Sequence, residues 1–333
     1  MRFSFFAILT TLALTRAGTL GGIEDPWSFD MTSSGKRNID WMDMIADKVL
    51  LSQLSIPGTH GSMTDRLSDS QDRRQNMPLF AQLGSGIRYF EVTCQYMAAG
   101  YLRVYHGEID TLYILRTVLN EMSIFLDEHP RETIILRIQE NNIHSNIEKF
   151  ISHFNKFITP DNGHSFTKRV YYKPDDGIST VPTLSEVRGK ILILQDFPTS
   201  PAGLHGLPWD SPSVSNYNPG MSGTYFSALK WTGVLANIKH MDSSSSNKLH
   251  ITHTSATDNT SPISVAAGTT YNAGMNRRLG EYLEQNAVKK IGVIAMDFPG
   301  QNLIDHIVKL NNDYRVADDD LITDHEVPPA ESG

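Results

Sequence analysis

A single cysteine, Cys94, stands in 333 residues, so no internal disulfide can form and the fold must be held by its core. Basic blocks are missing as well. With 29 basic against 37 acidic residues and a formal charge of −8, the chain is a poor nucleic-acid binder. Net charge would not draw it to an anionic membrane either, so lipid contact is expected to be brief and carried by exposed apolar or aromatic side chains. Long apolar runs are absent apart from Phe3–Leu14. That run, behind Arg2, reads as the core of a secretory signal peptide over 1–17, too short to span a bilayer. No transmembrane segment is expected in the mature protein, which reads as secreted. The sequon Asn259-Thr260-Ser261 is consistent with this. There is no internal repeat, and nothing suggests a nucleotide or redox cofactor.

What remains has the composition of a soluble globular protein, 40% hydrophobic and 20% charged, long enough for a sizeable core. Residues 18–37 read as an N-terminal arm, 38–315 as one domain, and 316–333 as an acidic disordered tail: six acidic residues follow Val316 with no Lys or Arg. Within the domain, Asn38–Lys48 has apolar residues at roughly helical spacing and should cap a barrel floor. A short apolar strand ends at Pro57-Gly58, and the loop Thr59-His60-Gly61-Ser62 follows. Asp65–Pro78 (DRLSDSQDRRQNMP) is a polar loop over the top face. Strands are expected at Ile87–Val92, Tyr101–Tyr105, Thr133–Ile138, Lys190–Gln195, Leu249–His253 and Lys290–Asp297. Helices are expected at Thr111–Glu128, Ser145–Phe157, Thr224–His240, Met275–Asn286 and Asn302–Asn311. Asp196–Met221 reads as a long Pro/Gly/Ser-rich loop. Continuous apolar strands alternating with helices, with polar residues at the strands' carboxyl ends, predict an α/β single-domain distorted (β/α)8 TIM-type barrel.

Two of the 12 histidines stand out. His60 and His106 each end a strand-like run and precede a glycine. At the ends of two early parallel strands they would converge on one cleft, an arrangement suited to taking and returning a proton. On strand two, period-2 alternation places Ile87, Tyr89, Glu91 and Thr93 on one face, so Glu91 is an inward candidate. Spacing alone leaves open that either histidine is structural. Cys94 reads as a small buried filler.

Six ordered stretches resemble the X-type catalytic domain of phosphatidylinositol-specific phospholipase C, especially its short secreted microbial form. They are LSIPGTHGS, LGSGIRYFEVT, YLRVYHG, FLDEHPRETIILRIQEN, VPTLSEVRGKILIL and IGVIAMDFPGQNLIDHIVKLN, together spanning about residues 41–312. The resemblance implies a PLC-like phosphodiesterase. In it the inositol 2-hydroxyl attacks phosphorus, diacylglycerol leaves, and a cyclic inositol phosphate forms. It places His60 as general base, His106 as general acid and Asp297, in MDFPG, as the carboxylate holding the base. It also offers Arg188, in EVRGK, and Tyr217, in SNYNPG, as inositol-binding residues, with phosphatidylinositol at a membrane surface as the partner.

The departures matter. Where the bacterial pattern has Asp after the first histidine and the calcium-dependent pattern has Asn, this chain has Gly61. Where they have Arg or a metal-binding Asp, it has Thr93, and Ser215 stands where the bacterial enzymes have an Asp for inositol. Glu91 keeps the acidic position, but alone it is a poor calcium site. The ligand set for calcium is thus incomplete and no cofactor is expected, and the phosphate's electrophile is missing; Arg137, two before Gln139 on strand four, is a candidate substitute, or else an arginine paired with Glu91 or an exposed carboxylate. A catalytically weak or inactive member that binds inositol phospholipid headgroups is the alternative. A glycerophosphodiesterase-like or sphingomyelinase D-like enzyme would need carboxylates around a metal, and FEVT offers only Glu91.

Overall fold

The computed structural model describes residues 27–28, 38–141, 146–158, 165–173, 177–198, 206–219, 226–256, 260–269 and 272–316. The signal peptide, nearly all of the arm, Asn259 and the acidic tail beyond residue 316 lie outside the described residues.

Eight parallel strands follow one another around a nearly closed barrel. They are β1 (Ile56–Thr59), β2 (Tyr89–Met97), β5 (Ile134–Glu140), β6 (Ile191–Asp196), β7 (Leu207–Pro208), β8 (Val214–Tyr217), β9 (Leu249–His253) and β12 (Val293–Met296). Their spatial order is β7-β6-β5-β2-β1-β12-β9-β8, and β7 and β8 do not pair, which leaves a seam; β10 (Gly268–Thr269) and β11 (Asn272–Ala273) pair with each other apart from the barrel. The expected TIM-type barrel is therefore what forms. Continuous apolar runs such as Ile191–Leu194 and Val293–Met296 are buried because helices cover them outside. Those helices include α1 (Leu79–Ser85), α2 (Leu115–Glu128), α3 (Ile147–Ile158), α4 (Leu184–Val187), α5 (Phe226–Ser243), α6 (Pro262–Ala267), α7 (Met275–Gln285) and α8 (Gln301–Lys309). On α2, Leu115, Val118, Leu119, Met122 and Phe125 form the buried stripe.

Several expectations need correction. Pro57-Gly58 does not stop β1 but lies inside it. A Cβ on Gly58 would sit 2.7 Å from the Tyr89 ring, so glycine is what lets β2 approach this closely. Tyr101–His106 (β3) is not a parallel barrel strand. β2 runs nine residues, past the barrel rim, and β3 folds back on it antiparallel, with Thr93 opposite Tyr105. A further strand, β4 (Ile109–Ile114), pairs with β3. It takes the first residues of the expected helix, which begins only at Leu115. Asn38–Lys48 forms turns rather than a helix, although Trp41, Met42 and Ile45 do bury themselves on the floor. The expected 196–221 loop carries β7 and β8. Cys94 is fully buried on β2, and burial pushes its thiol far up.

Candidate active site

The site is built at the carboxyl ends of the strands. Beyond β1, the His60 amide still donates to the Met296 carbonyl of β12 (3.0 Å). Gly61 then turns the chain with φ +51°, a conformation that glycine adopts without strain. Ser62 ties the loop to β2, its Oγ accepting from the Glu91 amide (2.8 Å). The Thr64 hydroxyl donates to the Gly61 carbonyl (2.8 Å) and accepts from the amides of Arg74 and Gln75. The Gln75 side chain donates to the carbonyls of His60 and Met296, both at 2.8 Å. The polar 65–78 segment is thus stitched into the site rather than draped over it.

Asp297 follows β12 and is 2% exposed; its Oδ1 lies 2.8 Å from His60 Nδ1. With Nδ1 engaged, Nε2 is the atom left to exchange a proton with the cleft. The next residue, Phe298, has φ +45°, a strained conformation for a bulky side chain. It is held by Asn276 Nδ2, which donates to the carbonyls of Asp297 (2.9 Å) and Phe298 (3.0 Å), and by its own amide, which donates to the Arg74 carbonyl (2.9 Å).

His106 arrives on the returning strand β3, its ring centroid 5.6 Å from that of His60. The two histidines do meet over one cleft, though through an antiparallel hairpin and not two parallel strands. His106 has no carboxylate partner among the described residues. Burial first, then the charges of His60 and Arg74, pushes it down to about 3 against the pull of Glu91.

Across the cleft floor, Glu91 Oε1 accepts from the Tyr89 hydroxyl (2.6 Å) and from Arg137 Nη1 (3.2 Å). Arg137 Nε and Nη2 also donate to Asp196 Oδ2 (3.0 and 2.5 Å), and the guanidinium lies 4.1 Å from the Trp209 ring centre. Burial opposes the charge on Glu91, but His253, Arg137 and His60 outweigh it and hold the carboxyl at about 2. Arg137 therefore faces the cleft, as its register implied, yet it is bracketed by two carboxylates. His253, at the end of β9, is fully buried with Nε2 3.3 Å from Glu91 Oε1. Burial takes it down to about 4, so it is neutral at pH 7. The cleft, about 350 Å³, is lined by His60, His106, Glu91, Arg137, Gln139 and Asn218 among others.

Two expected residues are elsewhere. Arg188 follows α4, ahead of β6, at the opposite end of the barrel. There it donates to Asp47 Oδ1 (2.8 Å) and to the carbonyls of Met42 and Ile45 (2.7 and 2.6 Å), fastening the floor turns. Tyr217 ends β8 but points outward, its hydroxyl against Gly233 of α5; the following residue, Asn218, reaches the cleft instead. Four residues escaped the sequence reading: Arg74, Asp196, Asn218 and His253. Only His253 carried a visible signal, since LHITH, like the runs ending in His60 and His106, is an apolar strand closed by histidine.

Comparison with known proteins bears on this geometry. The family model for phosphatidylinositol-specific phospholipase C, X domain, matches residues 62–196. The 1-phosphatidylinositol phosphodiesterase of Listeria monocytogenes serovar 1/2a is 31% identical over 288 residues, covering 81% of this chain and 84% of the relative. This chain belongs to the phosphatidylinositol-specific phospholipase C X-domain family. A Staphylococcus aureus (strain Newman) 1-phosphatidylinositol phosphodiesterase is 26% identical over 171 residues, 48% of this chain and 52% of that one. The solved structure of the Listeria monocytogenes phosphatidylinositol-specific phospholipase C superposes with a TM-score of 0.70 at 26% identity, covering 82% of this chain and 98% of that one. The X-domain match takes in Glu91, His106, Arg137 and Asp196, the wall from β2 to β6. His60 lies just before it and Asp297 well beyond. Among the described residues no group of three or more His, Cys, Asp or Glu is arranged to hold a metal, and no helix is long and apolar enough to cross a membrane.

Proposed function

We propose that this protein is a secreted phosphodiesterase that cleaves phosphatidylinositol, or a glycosylated relative, at a membrane surface by histidine acid–base catalysis. The observation that carries the reading is the Asp297–His60 pair, set opposite His106 over one cleft in a chain of this family. His60 Nε2 accepts the proton of the inositol 2-hydroxyl as that oxygen bonds to phosphorus. The bond from phosphorus to the diacylglycerol oxygen breaks, and His106 supplies that oxygen with a proton. Diacylglycerol and a cyclic inositol phosphate leave, and Asp297 stabilises the imidazolium formed on His60. Met1–Ala17 supports secretion, and the chain's negative charge supports brief, peripheral lipid contact.

The low proton affinity of His106 shapes this cycle. In the unliganded protein it is neutral at pH 7. An acid role requires that the bound phosphodiester, an anion between the two rings, raise its affinity. kcat/KM reports the free enzyme and kcat the complex, so the alkaline limb of kcat is expected at clearly higher pH than that of kcat/KM. Coincident limbs would remove the substrate-assisted proton from the scheme.

Arg137, bracketed by Glu91 and Asp196, leaves no unpaired guanidinium on the described cleft wall and favours a second reading, headgroup binding without turnover. Phosphatidylinositol vesicles, given to the purified protein in EDTA and in calcium beside His60→Ala, separate the two. Turnover in EDTA that falls by about 10²–10⁴ in the variant supports the proposal. Vesicle binding without turnover in either condition supports the second reading. Turnover only with calcium would mean that Glu91 helps recruit a metal.

A further inference from the structure

Arg74 is 7% exposed, the one buried charge in the 65–78 loop, and both its backbone groups are engaged in the site. Its amide donates to Thr64 Oγ1 (2.9 Å), behind His60, and its carbonyl accepts from the Phe298 amide (2.9 Å), beside Asp297. Arg74 Nη1 donates to the Gln71 carbonyl (2.6 Å), which fixes the head of the side chain. Its Nε is buried without a hydrogen-bond partner and lies 4.0 Å from Asp297 Oδ2, which is likewise buried and without one. The stem reaches under the histidine loop. A Cβ on Gly61 would lie 2.9 Å from Arg74 Cγ and 3.3 Å from His106 Nδ1, so glycine at 61 leaves room for both the arginine stem and the His106 ring.

We propose that Arg74 is a positioning residue for the histidine pair: it holds the free oxygen of Asp297, so that the other oxygen stays on His60, and it sets a fixed positive charge beside His106. Asp297 approaches His60 from β12, His106 from β3, His253 from β9, Glu91 from β2 and Arg137 from β5. Lys230, fully buried on α5 and brought down to about 8 by burial, is coupled to Asp297 electrostatically. Of these, Arg74 alone touches both the carboxylate and the space beside His106. Its charge opposes protonation of His106, and Asp297 in turn favours the charge on Arg74. Removing a cation here stabilises imidazolium at His106, so that ring should hold its proton to higher pH.

The proposal rests on the acid–base reading of His60, but its test needs no substrate, so an inactive protein and an untuned histidine give different results. Carbon-13 histidine NMR of the full chain follows the titration of each ring, assigned with His60→Gln and His106→Gln. In Arg74→Met the His106 titration is expected to rise by about one pH unit, a tenfold gain in proton affinity. Arg74→Lys, which keeps the charge, should stay near the unsubstituted protein. An unmoved His106 ring in Arg74→Met, or one that moves as far in Arg74→Lys, would overturn the proposal. If Arg74→Met does not fold, Arg74→Gln serves as the neutral arm. If only the lysine variant folds, the charge is structural and the proposal falls.

Discussion

Asp297→Asn is expected to lower kcat by about 10²–10⁴-fold, with KM nearly unchanged and the fold intact. The carboxylate offers one oxygen to His60 Nδ1 at 2.8 Å and turns the other toward Arg74 Nε at 4.0 Å. An asparagine in that place must choose which way its NH2 points. Facing Arg74, the amide nitrogen would set donor against donor, so the oxygen goes to Arg74 and the NH2 to His60. Nδ1 must then accept, which moves the ring proton to Nε2, the atom that has to take the 2-hydroxyl proton. The variant holds the imidazole in place but in the wrong tautomer. Asp297 is almost fully buried and does not line the cleft, so substrate affinity should change little. Nitrogen-15 shifts of His60 read the tautomer directly, and single-turnover cleavage reads the rate. A kcat within threefold of the unsubstituted protein would remove Asp297 from the catalytic group.

Much of the barrel was legible because parallel strands covered on both faces write themselves as uninterrupted apolar runs, as in Ile191–Leu194 and Val293–Met296. His60 was legible for a related reason: a polar residue ending such a run sits where (β/α) barrels place their chemistry. The β3–β4 hairpin was not. Thr111–Ile114 continues the helical period of α2 backwards, and nothing local marks the change at Leu115. Only pairing with β3 makes that segment a strand, and pairing is a tertiary fact. Arg74 was hidden in the same way. It shares its loop with Arg66 and Arg73, and spacing cannot say which guanidinium is drawn inward. Arg188 errs in the other direction. A resemblance placed it at the inositol, yet its position ahead of β6 puts it at the amino ends of the strands, where it binds the carbonyls of the floor turns. The carbonyls of Met42 and Ile45 accept from Arg188 and that of Asp43 from Arg131, so Asn38–Lys48 is held by tertiary hydrogen bonds that its helical spacing does not show.

The same floor carries the largest expected loss of stability, about 3–5 kcal/mol for Arg88→Met. Arg88, just before β2, is fully buried. Its Nε donates to Glu132 Oε2 at 2.7 Å, and its Nη atoms donate to the carbonyls of Leu83, Ile87 and Ile39. Glu132, also buried, accepts from the Met42 amide at 2.8 Å. One guanidinium thus joins α1, β2, the α2–β5 turn and the N-terminal floor segment. Methionine fills much of the volume but leaves Glu132 facing the core without a counter-charge and takes one donor from each of three carbonyls. Burial already raises the Glu132 carboxyl, and Arg88 opposes that rise; without Arg88 it rises further. A group whose folded pKa lies above its unfolded value stabilises the fold at low pH and loses that contribution as pH climbs through the folded value. The deficit of Arg88→Met is therefore expected to be smaller at pH 5 than at pH 8 in urea denaturation. Adding Glu132→Gln should narrow the gap between the two pH values, because the amide has no charge to leave behind. A deficit below about 1 kcal/mol, or one independent of pH, would mean that the floor is held by its apolar residues, Trp41, Met42 and Ile45, and not by the buried pair.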